Sequence, residues 1–215
     1  MSLPIHAQIS LQPRDLHPLV CGLTLRRGRV HELCGPSRVM LAAQAMAGGE
    51  GPVVWLRPAW TAGRLNPAGL QPMADPGRLL LAEPDREDAL LWATEEALRS
   101  GAAPLVVAEL LSPPGLTPIR RLHLAAEAGA EAARRDGQPA PLGLILLAGT
   151  GGAQGVESRW HLAPRPSRAL LWSDEVAWTL TRLRARLEPP AAWCLRQDAA
   201  GPRLEPLPAP GDGPA

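Results

Sequence analysis

Leu105 to Ala148 reads LVVAELLSPPGLTPIRRLHLAAEAGAEAARRDGQPAPLGLILLA, and this stretch decides the fold. It opens on a short strand-like segment, Leu105 to Leu110, apolar but for Glu109, and Pro113-Pro114-Gly115 breaks after it. From Thr117 to Arg135, Leu122, Ala125, Ala126, Gly129 and Ala133 recur at the spacing of one helix face. Leu142 to Ala148 is again continuous and apolar. A strand with one wet face alternates apolar and polar residues, whereas a strand covered on both faces does not. The spacing therefore predicts two buried strands joined by a long amphipathic helix. Such a unit needs a crossover, which implies a parallel α/β sheet with right-handed connections.

The same alternation extends towards the N-terminus. Val30 to Cys34 is an apolar run closed by Gly35-Pro36. Val39, Met40, Ala43 and Met46 then mark a helix from Ser37 to Ala47, with Ser37 as N-cap and Gly48-Gly49 as the stop. Pro52 to Leu56 and Arg78 to Ala82 read as strands, with a Pro- and Gly-rich loop over 58–77 carrying one helical turn. Asp85 to Ser100 reads as a helix: Asp85 caps it, Glu87 and Asp88 fill the first turn, and Arg99 with Gly101 marks the end.

After Gly149 the character changes, starting with the flexible GTGGAQG of 149–155. Val176 to Arg186 fits two periods. Val176, Leu180, Leu183 and Leu187 suit a helix; Trp178, Leu180, Arg182, Arg184 and Arg186 suit a strand, which would place the three arginines on one face. Trp193 to Gln197 reads as a closing strand. The expected organisation is an N-terminal arm (1–27), an α/β core (28–157), a small β-rich C-terminal part packing on it (158–198), and a disordered tail (199–215) rich in Pro and Gly.

Composition removes whole classes of chemistry. The chain has 215 residues and a formal charge of +1, and all 22 basic residues are Arg. Without Lys there is no Schiff-base chemistry, no Lys general base and no phosphate-loop Lys. The balanced charge argues against a strongly basic nucleic-acid coat. Neither a membrane span nor a secretory signal is visible, so a cytoplasmic location is expected. Cys21, Cys34 and Cys194 are far apart, as expected of reduced thiols. His31-Glu32 begins like HExxH, but Gly35 stands where the second His belongs, so no metal site is expected.

The order of these pieces resembles the RecA ATPase core over about residues 20 to 155. Gly28-Arg-Val-His-Glu-Leu-Cys-Gly-Pro36 resembles the strand that leads into the RecA phosphate loop, and Leu105-Val-Val-Ala-Glu-Leu110 sits where the Walker B strand would be. Within that superfamily the chain is more similar to the degenerate RecA-like accessory proteins of the bacterial mutasome, the ImuA type, also described as SulA- or RecA-like. The GRVHEL start, the EEALRSGA helix end, LTPIRRLHLAAEAG and SRWHLAPRPS carry that likeness. The resemblance implies a RecA-like core with a mostly parallel sheet flanked by helices. It also implies an accessory role in damage-induced error-prone translesion synthesis, part of the SOS response. Its implied partners are an ImuB-type pseudo-polymerase and an error-prone DnaE-type polymerase, with RecA as a further one. The degenerate SulA-type fold also brings a cell-division inhibitor into view, and a residual nucleotide-dependent ATPase is a third reading.

A working phosphate loop reads GxxxxGK[ST]: glycines let backbone N–H groups wrap phosphates, the Lys bridges them, and the hydroxyl holds Mg²⁺. Here Gly35-Pro36 runs almost directly into Ser37-Arg38. The loop is shortened, and a guanidinium at Arg38 does not restore the cradle. Glu109 occupies the Walker B position, while Arg57-Pro-Ala-Trp60 stands where the catalytic Glu should follow the second strand. The expectation is therefore no enzyme activity and no cofactor, with Gly35, Pro36, Ser37, Arg38 and Glu109 as vestiges of a nucleotide site.

Partner contacts are expected instead from Trp160, Trp178, Arg182, Arg184, Arg186 and Trp193, because Trp and Arg are enriched at interface hot spots. Any DNA contact is expected to be weak, since the 149–155 loop lacks basic residues. Gln8-Ile9-Ser10-Leu11 resembles the start of a sliding-clamp-binding peptide, but Gln12 replaces its last apolar residue, and an ordinary extended arm fits better.

Overall fold

The computed structural model describes residues 12–166 and 176–207. The clamp-like Gln8–Leu11 and Trp172 lie outside the described residues.

Five strands form the parallel half of the sheet: β3 (Val30–Cys34), β4 (Val53–Leu56), β5 (Leu79–Ala82), β6 (Leu105–Glu109) and β7 (Leu142–Leu147). They alternate with α1 (Arg38–Ala47), the single turn α2 (Pro67–Leu70), α3 (Glu87–Ser100) and α4 (Leu116–Arg135). A further run, β8 (Ser158–Pro164), β9 (Val176–Ala185), β10 (Ala191–Asp198) and β11 (Gly201–Leu207), continues the same sheet. The nine-stranded order is β11-β10-β9-β8-β3-β7-β6-β4-β5. Every pairing from β8 to β5 is parallel, and those among β8, β9, β10 and β11 are antiparallel. The protein is thus α/β with a large, mostly parallel mixed sheet flanked by helices.

The continuous apolar run at 142–148 has the expected cause. β7 lies between β3 and β6, parallel to both. Leu144 and Leu146 point into one apolar cluster with α1, while Ile145 and Leu147 point into the other with α3 and α4. Each fully buried side chain of this kind contributes about 1.5–3 kcal/mol. Helices α3 and α4 approach closely at Gly129, where a Cβ would overlap the Leu98 carbonyl oxygen.

Two expectations change and one open reading is decided. Residues 12–27 are more than an arm: β1 (Leu16–Val20) and β2 (Leu23–Arg26) form a hairpin against α1, turned at Cys21-Gly22, both with positive φ. The ambiguous 176–186 segment is a strand, because β8 and β10 supply partners on both sides. Residues 201–207, expected to be disordered, pair with β10 as the edge strand β11. Pro202 and Pro206, which suggested disorder, are tolerated there because an edge strand needs ladder donors on one side only.

Among the described residues, no helix is long and apolar enough to cross a membrane, and no cluster of three potential metal ligands occurs.

Candidate functional site

In parallel α/β sheets the loops beyond the carboxyl ends of the strands are the usual ligand site. Here that edge carries the turn from β3 into α1, the end of β6 and the long loop after β4. Gly35 has φ 93°, a conformation that glycine adopts without strain. A Cβ there would also run into the Leu162 carbonyl and the His161 ring of β8. The turn is therefore pressed against β8.

Backbone donors of the turn itself are taken internally. The Ser37 N–H donates to the Leu162 carbonyl at 3.1 Å, and the Arg38 N–H donates to Gly35 O at 3.4 Å. Pro36 has no N–H to offer. The Arg38 guanidinium folds back and donates to the same Gly35 oxygen at 3.2 Å. Ser37 occupies the N-cap position, but its side chain makes no capping bond.

The Walker B-like carboxylate is similarly engaged. Glu109 accepts a hydrogen bond from the Trp55 indole N–H at 2.7 Å, which ties the end of β6 to β4. Arg57 is only 3% exposed and donates to the carbonyl and hydroxyl of Thr61 at 3.0 and 2.8 Å, so it staples the loop after β4. Beside these groups lies an open cavity of about 490 Å³. Arg38 and Glu109 share its wall with Met40, Leu65, Met73 and Leu110. Of these five positions, the structure brings Arg38 and Glu109 to one cavity and holds Gly35 and Ser37 against β8, while Pro36 is exposed.

Sequence reasoning missed Glu32. It is fully buried on β3 and accepts from the N–H groups of Gly152 and Ala153 at 2.7 and 3.1 Å and from Arg159 Nε at 2.7 Å. Arg159 also donates to the Ala153 carbonyl at 2.7 Å. One carboxylate thus pins the glycine-rich loop between β7 and β8 to the sheet. Beside it, burial and the Glu32 charge push the Cys34 thiol up to about 12, so it stays protonated.

The expected partner-binding residues separate. Trp160 and Arg182 are buried, at 2% and 7% exposure. The Arg182 guanidinium lies 5.5 and 5.4 Å from the Trp160 and Trp193 rings and donates to the Pro189 carbonyl at 3.0 Å. Trp178 and Trp193 are half-buried and pack on the core. Arg184 and Arg186 are exposed. The three arginines do not share a face. Trp160 pairs with Arg182 and Arg159 with Arg184, so Leu183 is an unpaired bulge residue. A bulge shifts the alternation by one, and Arg184 lies on the opposite face of the sheet from Arg182.

No family model matches the chain, and no curated protein matches it. Among solved structures the chain is similar to SulA from Pseudomonas aeruginosa, with 24% sequence identity and a TM-score of 0.43, over 56% of this chain and 98% of that chain.

Proposed function

We propose that the protein is a non-catalytic, RecA-like adaptor in damage-induced error-prone DNA synthesis, one that docks onto an assembly of pseudo-polymerase and error-prone polymerase. The reading rests on the likeness of GRVHEL, EEALRSGA, LTPIRRLHLAAEAG and SRWHLAPRPS, from Gly28 to Ser167, to the mutasome accessory type. The observation that carries its non-catalytic part is the β3–α1 turn, whose Ser37 donor is taken by Leu162. A phosphate would have to compete with an internal hydrogen bond and would find no Lys. What remains is surface. Leu80 and Leu81 on the edge strand β5 are 58% and 56% exposed, and Trp92 on α3 is 61% exposed. Exposed apolar groups on a sheet edge suit docking to another protein better than turnover of a small molecule.

The test is affinity capture from DNA-damaged cells followed by identification of the bound proteins. Polymerase subunits are expected; a tubulin-like division protein in their place would overturn the adaptor reading in favour of a division inhibitor. In parallel, deletion of the gene is expected to lower damage-induced mutation frequency without slowing growth of undamaged cells.

A further inference from the structure

At the opposite edge of the sheet from the vestigial site, a cavity of about 550 Å³ lies between α4 and the end of β9. Arg120, Leu124 and Glu127 line it from successive turns of α4, and Arg184 and Arg186 line it from β9 and the residue after it. A smaller cavity of about 60 Å³ shares Glu157, Ala185 and Arg186 with it and runs on to Leu16 and Thr24 of the β1–β2 hairpin. Together they form a groove along this edge. The bulge at Leu183 is what turns Arg184 towards α4.

Charge within the groove is uneven. Its carboxylates are already engaged: Glu127 pairs with Arg29, Glu157 lies 3.5 Å from Arg26 and 3.9 Å from Arg29, and Glu188, which lines the smaller cavity, pairs with Arg182. His123 is saturated by backbone, accepting from the Val30 N–H at 3.3 Å and donating to the Gly155 carbonyl at 3.1 Å. Arg120, Arg184 and Arg186 are exposed and have no carboxylate partner among the described residues. Three guanidiniums therefore face one concave surface with no counter-charge of their own.

We infer that this groove binds an acidic, leucine-bearing segment of a partner protein. Guanidinium forks pair with discrete carboxylates in bidentate fashion. Leu124 and Leu187, 56% and 61% exposed, flank the arginines and offer anchorage to apolar side chains that a phosphodiester backbone would not use. Glu127 and Glu157, although paired, interrupt the positive surface, which suits spaced carboxylates better than a continuous phosphate chain. No Trp lines the groove's main cavity to stack bases. The overall charge of +1 supplies little long-range attraction for nucleic acid. The inference rests on the adaptor reading only in taking a protein as the occupant.

The test uses the purified full chain and fluorescence anisotropy at about 150 mM salt, where weak surface attraction is screened. The probes are a labelled extended peptide of about 12 residues repeating Asp-Leu-Glu, long enough to span ~40 Å, its Asn-Leu-Gln counterpart, and a labelled oligothymidylate. The acidic peptide is expected to bind saturably and at least about tenfold more tightly than the other two, and Arg120→Glu with Arg184→Glu is expected to weaken it at least about tenfold. Both side chains are exposed, so the variant is expected to melt as the parent does; if it does not, Arg120→Gln alone provides the readout. Equal binding by parent and variant, no saturable binding of the acidic peptide, or tighter binding of the oligothymidylate overturns the inference. None of these outcomes bears on the polymerase partnership, which the capture experiment tests separately.

Discussion

Glu32 carries a buried negative charge whose neutralising partner, Arg159, is 127 positions away in sequence. No local motif announces such a pair. In the sequence Glu32 reads only as part of a false metal signature, so its role was illegible until β3 and β8 were placed side by side. Removing one member of a buried pair leaves an uncompensated charge and costs about 3–5 kcal/mol. Arg159→Ala is expected to fall near the lower end, because two backbone N–H groups still hold the carboxylate. Urea denaturation measures it, and an unchanged midpoint would contradict the assignment.

His17 and His31 make a second prediction at this scale. Burial lowers each from 6.5 to about 4. Both are bonded as neutral rings. His17 donates from Nε2 to the Ala45 carbonyl at 2.6 Å and accepts at Nδ1 from Arg27, while His31 donates to the Arg26 carbonyl at 2.9 Å and accepts from the Ser158 hydroxyl at 2.6 Å. Between pH 6.5 and 4 the unfolded chain binds more protons than the folded one at these two sites. Stability is therefore fully present above pH 6.5 and falls with acidification, by on the order of 3 kcal/mol for each His by pH 4. Melting temperature measured across that window is expected to drop steeply, and His31→Gln is expected to flatten the profile.

Among the elements, the helices and parallel strands were legible because each carries its own period and stop signal. α4 begins within a residue of its expected start, after Pro113-Pro114-Gly115. β9 was not legible, because its apolar residues satisfy both periods and only pairing with β8 and β10 decides. The Leu183 bulge was invisible for the same reason: it is a mismatch of register between two strands, with no signature in either alone. The α3–α4 contact gives the prediction at this scale. Replacing Gly129 with Ala in a helix interior would ordinarily stabilise by about 1 kcal/mol through propensity. Here the added methyl meets the Leu98 carbonyl, a backbone atom that cannot move without shifting α3. Overpacking of that kind costs typically about 1–3 kcal/mol. The net sign is expected to be destabilising, by up to about 2 kcal/mol in a denaturation experiment; a more stable Gly129→Ala protein would show that the helices are not in close contact.

For the whole molecule, the sheet topology sets two candidate surfaces at opposite ends of the strands. The carboxyl edge holds the positions that the resemblance to RecA marks as an incomplete nucleotide site, and there β8 packs on the β3–α1 turn. The opposite edge holds the arginine groove, of which Arg184 and Arg186 were legible in the sequence and Arg120 on α4 was not. ATP is expected to bind no more tightly than about 1 mM, near 4 kcal/mol. The most direct test is the affinity of the purified protein for the partner captured from damaged cells, measured by calorimetry with and without saturating MgATP. Nucleotide coupling in an allosteric protein typically changes affinity about 5- to 150-fold. The account predicts the same affinity in both conditions within about twofold, with no phosphate released; a shift of about tenfold or more, or turnover of ATP, would contradict it.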